Sequence, residues 1–493
     1  MNSADKNPIE ESLDPTDWEA TRQLMHQMVD DAIDYTANLR TNHVWNKPPD
    51  SILNKLKTPV PIEPSEATKV YDEFKACILP YPMGNIHPRF WAWYMGNGTV
   101  SGFIGDFWAS VMNPNLGGGN HSAHHVEAQV INWMKEIMEF PINSSGLLVS
   151  GGSMANFTAL TVARNVKLNY DVRTEGITSK MAGKCIVYAS SEVHSCNQKA
   201  MEILGLGGNS LKKITVNIDY TININALKTQ IKTDRENGLF PFAVIGTSGT
   251  VNTGAIDDLN ALSEICKEED LWFHVDGAIG AIAVIAEDIK PQLTGIEKAD
   301  SIALDLHKWL HMPFEAGCVL IKDPEAHKST FSMIPEYLEK HERGIASGSN
   351  WFSEYGLQLS RRFNALKVWM SIKEHGIHKF GRMISKNVKQ AKYLGQLIEN
   401  HKDLELLAPI GLDIVCFRYN PGNLPIKLLN ELNREIKLKI EEAGIAVIGY
   451  TTLNSLYCLR IAIANHRTIN EDLDLVIDAI LKFGHQEITK LKQ

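Results

Sequence analysis

The chain has 493 residues, 44% of them hydrophobic, enough to bury a large core and too many for one compact domain, so two or three structural units are expected. A formal charge of -9, with no Lys/Arg-rich stripe, argues against a nucleic-acid partner and for small-molecule chemistry. The most apolar run, Ile279 to Ala286, is far shorter than a bilayer span, and the N-terminus is polar and acidic without a signal-peptide core, so a soluble, cytoplasmic protein without a membrane partner is expected. The cysteines at 77, 185, 196, 266, 318, 416 and 458 are scattered, odd in number and without a CxxC pair, which fits reduced thiols rather than a disulfide framework or a zinc site.

Taken in chain order, Trp18, Leu24, Met28 and Ala32 have helix-like spacing and are followed by a Pro-rich stretch from Pro48 to Pro64, a packed arm plus linker without a core of its own. This arm is taken as residues 1–96. From 97 to 372, short apolar runs alternate with helical segments. The runs are Gly146 to Ser150, Cys185 to Ala189, Phe242 to Gly246, Leu271 to Val275, Ser301 to Leu304 and Cys318 to Ile321. That alternation predicts α/β layering around a mostly parallel sheet. From 373 to 493, strand-like Ile414 to Tyr419, Ile445 to Ile448 and Leu456 to Ile463 precede an amphipathic helix from Glu471, which predicts a small α+β domain.

Gly151-Gly152-Ser153 follows an apolar run and precedes the helical stretch Ala155 to Arg164. Backbone N–H groups at such a turn cradle phosphate, and the helix dipole adds about 0.3 to 1 kcal/mol toward an anion, although the same tripeptide also serves as plain punctuation. Farther on, Asp276 ends the apolar stretch His274-Val275-Asp276-Gly277-Ala278, and Lys308 sits in Leu306-His307-Lys308-Trp309. A Lys among apolar residues can supply a neutral amine that attacks an aldehyde. A carboxylate against a pyridine nitrogen favours the protonated ring, the better electron sink, an effect worth about 1.4 to 4 kcal/mol. Alone, such a Lys commonly snorkels and such an Asp opens a turn.

Ser301, an apolar residue, five further positions and then Lys308-Trp309 match the attachment pattern of the group II pyridoxal-phosphate-dependent amino acid decarboxylases, which the chain resembles from about Ile86 to its C-terminal helix. The family includes aromatic amino acid, histidine and glutamate decarboxylases. The resemblance implies the aspartate-aminotransferase fold (fold type I), a homodimer with active sites at the subunit interface, and pyridoxal 5'-phosphate as cofactor. It implies a Schiff base at Lys308, a ring-nitrogen contact at Asp276, an imidazole stacked on the ring at His194 and Ala278 on the opposite face. Gly152, Ser153, Thr247 and His307 match cofactor contacts. Trp93 and Tyr94, in His87-Pro88-Arg89-Phe90-Trp91-Ala92-Trp93-Tyr94, match the family segment lining the side-chain pocket, which points to an aromatic L-amino acid such as Trp, Tyr or Phe. Arg460 matches a family Arg, with either a substrate-carboxylate or a structural salt-bridge role.

Four departures stand out. Gly277-Ala278 replaces the family's small-residue pair, and Asp305 stands where many relatives have Asn. Asn120 to Glu127 replaces a Ser-Pro and Thr-Glu-x-Glu stretch and carries His121, His124 and His125, which read as structural or substrate-contacting, with no metal expected. Relatives use a lid Tyr as proton donor, whereas Phe352 falls at that position and Tyr355 follows three residues later, making Tyr355 the candidate donor. Gly344, Gly348 and Ser349 suggest a flexible lid or an ordinary surface loop. Decarboxylation to the primary amine is therefore the first expectation. Aldehyde synthesis or transamination with the same cofactor is the second, and a non-catalytic cofactor-binding relative the third.

Overall fold

The computed structural model describes residues 11–333, 340–348 and 351–491, so Ser349 lies outside the described residues. The chain divides into two compact units, 1–83 and 84–493. In the first, helices Trp18–Ala37, Asp50–Lys55 and Ala67–Cys77 follow one another. Asp17 caps the first helix by accepting from the N–H groups of Glu19 and Ala20, and none of that helix's residues is buried. Tyr71 donates to Asp31 at 2.8 Å, with Lys75 at 3.2 Å, tying the third helix to the first.

The second unit contains β1 Phe90–Trp91, β2 Ser145–Val149, β3 Cys185–Ser190, β4 Leu211–Ile214, β5 Phe240–Thr247, β6 Trp272–Asp276, β7 Ser301–Asp305, β8 Gly317–Ile321, β9 Leu404–Leu406, β10 Ile414–Tyr419, β11 Val447–Leu453 and β12 Leu456–Ala462. A seven-stranded sheet runs β2-β8-β7-β6-β5-β3-β4, and only β8 is antiparallel to its neighbours. Its strands are almost entirely buried, as expected when helices cover both faces of a mostly parallel sheet. The molecule is thus α/β with a large, mostly parallel sheet.

The second sheet, β1-β11-β12-β10-β9, is antiparallel except for β1 on β11. Phe90 and Trp91 pair there with Val447 and Ile448, so the segment expected to belong to the N-terminal arm contributes a strand to the C-terminal sheet. Each sheet has its own apolar core. Val187, Phe242, Ile302 and Val319 belong to the larger, while Trp91, Leu394, Phe417, Ile448 and Val476 belong to the smaller. Each fully buried aliphatic or aromatic side chain contributes about 1.5 to 3 kcal/mol.

Register places the site. Thr247 at the end of β5 lies opposite Asp276 at the end of β6, Asp276 lies opposite Ala303, and Asp305 at the end of β7 lies opposite Gly317. Ligands of open α/β sheets bind outside these carboxyl ends, where the strands stop and the following loops and helices begin.

Candidate active site

A cavity of about 540 Å³ opens at those strand ends. Trp93, Tyr94, Gly152, Ser153, His194, Thr247, Asp276, Ala278, His307, Lys308 and Arg460 line it, together with Asp305. Eleven residues singled out from the sequence thus meet in one hollow, although they span more than 360 positions of the chain.

Lys308 follows β7 by three residues, and its Nζ lies 3.0 Å from Asp305 Oδ2. Its side chain is 21% exposed, which leaves the amine open to the cavity. Asp276 is buried at the end of β6 and accepts a 2.8 Å hydrogen bond from Asn197 Nδ2. Behind it, His274 is fully buried between Ser301 Oγ at 2.8 Å and Asn156 Oδ1 at 2.7 Å, and burial lowers its pKa to about 4. His274 is therefore neutral at pH 7, and its contacts with Ser301 and Asn156 tie β6 to β7 and to helix Gly152–Lys167.

His194 precedes helix Ser195–Ile203 and caps it, its Nδ1 accepting from the Cys196 N–H at 3.2 Å. That bond assigns the proton of the neutral ring to Nε2. Burial holds the His194 pKa below its usual value, outweighing the pull of Asp276, so the ring is neutral at pH 7. His307 is oriented in the same way: its Nδ1 accepts from the Ala316 N–H at 3.1 Å, its ring packs on Phe314 at 4.5 Å, and burial depresses its pKa.

Gly151 to Ser153 join β2 to helix Gly152–Lys167. Glycine is required here by close approach. A Cβ on Gly152 would lie 2.9 Å from Asp305 Oδ2 and 3.0 Å from Ala278 Cβ, and one on Gly317 would lie 2.5 Å from Gly151 Cα. Opposite the turn, Thr247 donates its backbone N–H to Asp257 at 2.8 Å, while its buried Oγ1 has no hydrogen-bond partner.

Trp93 is 57% exposed and adopts φ +54°, an uncommon conformation for a bulky residue. Arg460 holds it there, donating Nη1 to the Trp93 carbonyl at 2.8 Å and Nε to the Asn252 carbonyl at 3.2 Å. Arg460 Nη2 is buried without a hydrogen-bond partner; Asp413 acts on the guanidinium electrostatically but makes no hydrogen bond to it, so a direct salt bridge is not what holds Arg460 in place. Tyr94 is buried, and its hydroxyl donates to Asp413 at 2.8 Å. Burial drives the Asp413 pKa up to about 7 against the opposing pull of the Tyr94 hydrogen bond.

Tyr355 is not brought to the cavity. Its ring packs edge-on against His327 of helix Pro324–Phe331 at 5.2 Å, and it is not among the residues lining the cavity. Phe352 is buried too, stacked 4.5 Å from His124 with the Arg361 guanidinium 5.2 Å from its ring, and Arg361 pairs with buried Glu127. His121 and His125 make ring contacts with His124, away from the cavity lining. The sequence reading passed over Asn197, Asn252 and Asp413, since a lone Asn or Asp in a helix or turn carries no periodic or motif signal.

The family described as "Pyridoxal-dependent decarboxylase conserved domain" matches residues 49–420. The chain is 37% identical over 459 residues to the aromatic-L-amino-acid decarboxylase of Bacillus atrophaeus, covering 92% of this chain and 93% of that protein. It is 28% identical over 485 residues to a phenylacetaldehyde synthase of a Rosa hybrid cultivar, covering 95% and 93% respectively. Its fold superimposes on Catharanthus roseus tryptophan decarboxylase in complex with L-tryptophan with a TM-score of 0.85 at 25% identity, covering 96% of this chain and 100% of that one. With its matched segment and its near full-length similarity to these proteins, this chain belongs to the pyridoxal-dependent decarboxylase family.

Proposed function

We propose that this protein decarboxylates an aromatic L-amino acid to the primary amine and carbon dioxide, using pyridoxal phosphate. The observation that carries the reading is the meeting of Lys308, Asp276 and His194 with the aromatic wall Trp93 and Tyr94 in one cavity.

The residues present fit the cofactor. Thr247 Oγ1 is a buried hydroxyl without a partner, the Gly151-Gly152 turn is kept free of side chains, and Asp276 is an acceptor already held by Asn197. Lys308 would tether the cofactor and Asp276 would hold its ring nitrogen. Gly152, Ser153 and Thr247 would hold its phosphate, His194 and Ala278 would cover the two ring faces, and His307 would line the Lys308 side. When bound, the cofactor supplies an electron sink for the pair left on the α-carbon as carbon dioxide departs. Asp276 carries the charge that favours a protonated ring, and Asn197 keeps it aimed. His194, neutral with Nε2–H, presents a donor to the cavity. Arg460 offers its unpartnered Nη2 to the substrate carboxylate, and Trp93 and Tyr94 favour a flat apolar side chain.

A second reading is aldehyde synthesis, because Phe352 stands where relatives carry a lid Tyr, Tyr355 packs away from the cavity, and a phenylacetaldehyde synthase is among the similar proteins. The purified, cofactor-loaded chain, incubated with each common L-amino acid and analysed for amine, carbon dioxide, peroxide and ammonia, separates the two. Amine and carbon dioxide from Trp, Tyr or Phe, lost in Lys308→Ala, is the expected result. Peroxide and ammonia would favour aldehyde synthesis, and release from Glu, Asp or His would overturn the pocket reading.

Three further parts belong to the proposal. The protein acts as a homodimer, supported by exposed Phe107 (41%), Trp108 (50%) and Val111 (58%) on helix Val100–Met112. Within 84–493, the seven strands of the larger sheet all fall in 97–372 and β9 to β12 of the smaller sheet fall in 373–493, which supports a large domain of 97–372 and a small one of 373–493. Among the described residues no helix is long and apolar enough to cross a membrane, and the cysteines are free and buried, which supports a cytoplasmic location.

A further inference from the structure

Asp305 ends β7 against the turn that opens helix Gly152–Lys167. It is 4% exposed and lines the cavity. Its Oδ2 lies 3.0 Å from Lys308 Nζ and 3.8 Å from His307 Nε2, while its Oδ1 is buried without a hydrogen-bond partner. A Cβ on Gly152 would lie 2.9 Å from Oδ2, and one on Gly151 would lie 3.6 Å from Oδ1. The carboxylate therefore stands within a few bond lengths of the backbone proposed to hold the cofactor phosphate.

The groups facing it come from several elements. Lys308 and His307 belong to its own turn, Cys318 lies on the neighbouring strand β8, His194 heads helix Ser195–Ile203, and Asp276 ends β6. Residues Gly151 to Ser153 bring only neutral groups. Lys308 and, on the small-sheet side, Arg460 are the basic side chains of the cavity lining, and Glu315 is its other carboxyl beside Asp305 and Asp276.

We propose that Asp305 takes up one proton when a phosphate occupies the Gly151–Ser153 turn, so that cofactor binding is coupled to proton uptake and weakens as pH rises. This rests on the assignment of the cofactor phosphate to that turn. A phosphate monoester carries nearly two negative charges at neutral pH, and a second anion held against it in a site of low dielectric favours its protonated form. The proton comes from solvent and forms an O–H bond at Oδ1, the oxygen with no partner. The neutral acid then donates that hydrogen to a phosphate oxygen. An Asn at 305, which many relatives carry, would make the same donation without taking up a proton, so Asp305 gives the binding a pH dependence that Asn would not.

The test uses pyridoxine phosphate, which carries the ring and the phosphate but no aldehyde, and so binds without engaging the Lys308 amine. Its dissociation constant from the full-length, cofactor-free chain is measured by fluorescence between about pH 6 and about pH 9 for the unmodified protein and for Asp305→Asn. The free ligand's ionisation cancels in the ratio of the two constants, and phosphorus NMR of the bound ligand locates the proton: a dianionic phosphate is expected, and a monoanionic one would place the proton there and overturn the inference. That ratio is expected to grow by up to about tenfold per pH unit, the slope for one coupled proton. A ratio that stays constant overturns the inference. Calorimetry of the unmodified protein in two buffers of different ionisation enthalpy gives a second readout that needs no variant: about one proton taken up beyond the ligand's own is expected, and none overturns the inference. Ser153→Ala separates the two layers. If it weakens binding while the ratio stays flat, the phosphate assignment stands and the role of Asp305 fails; if it leaves binding unchanged, the assignment fails and the inference with it.

Discussion

The groups proposed to carry the chemistry are held by neighbours that are themselves buried and polar. Asn197 donates to Asp276 at 2.8 Å, a hydrogen bond to a charged group worth about 1.5 to 3 kcal/mol. Asn197→Ala should therefore lower kcat/KM about tenfold to a hundredfold while leaving the fold intact, read from amine formation and circular dichroism. Asp276→Asn keeps the shape and removes the charge, and the expected loss is about tenfold to a thousandfold, measured in the same assay. Asp413 makes a different prediction. Its carboxyl, ordinarily at 3.8, is raised to about 7 by burial, so the folded chain binds more protons than the unfolded one between those values. Stability must then fall as pH rises through that window, by about 4 kcal/mol in all. Asp413→Asn removes the dependence, so its Tm relative to the unmodified protein should be higher at about pH 8 than at about pH 5. A Tm difference that does not change with pH would refute this.

At the level of elements, the predicted apolar runs coincide with β2, β3, β5, β6, β7 and β8 to within a few residues, because a fully buried strand is a nearly continuous apolar segment. The short strands escaped notice. β4 is an edge strand whose two middle residues are Lys212 and Lys213, so it shows no apolar run, and β1 has only two residues and exists by pairing with β11. β11 runs on to Leu453, beyond the Ile448 expected, because Asn454 and Ser455 adopt φ +50° and +67° and turn it directly into β12. The Gly151–Ser153 turn, proposed to hold the cofactor phosphate, shows the same dependence on neighbours. Gly317 on β8 approaches Gly151 so closely that Gly317→Ala would place a methyl group 2.5 Å from a backbone carbon. The turn must shift, at a cost of about 1 to 3 kcal/mol, and the affinity for the cofactor should fall at least tenfold, measured by equilibrium absorbance titration. An unchanged affinity would mean that the turn does not contact the cofactor.

For the whole molecule, the prediction concerns assembly. Phe107 and Trp108 lie exposed on helix Val100–Met112, and burying each against a second copy would contribute about 1.5 to 3 kcal/mol. Phe107→Asp with Trp108→Glu should therefore shift the mass seen by light scattering from dimer to monomer, with loss of activity if the sites need both copies. An unchanged mass would place the interface elsewhere. The sequence by itself determined the α/β class, through strand periodicity, and the cofactor, through the family resemblance that the attachment motif carries; that resemblance also singled out Lys308, Asp276, His194, Trp93 and Tyr94, which the fold gathers in one cavity and whose roles are proposed above. Tertiary structure alone decided three things: that Asn197 aims Asp276, that Asp413 sits behind Tyr94, and that Tyr355 packs on His327 away from the cavity. Each depends on side chains brought together from distant segments, and such contacts are set by strand register and packing, which leave no periodic trace in a single chain.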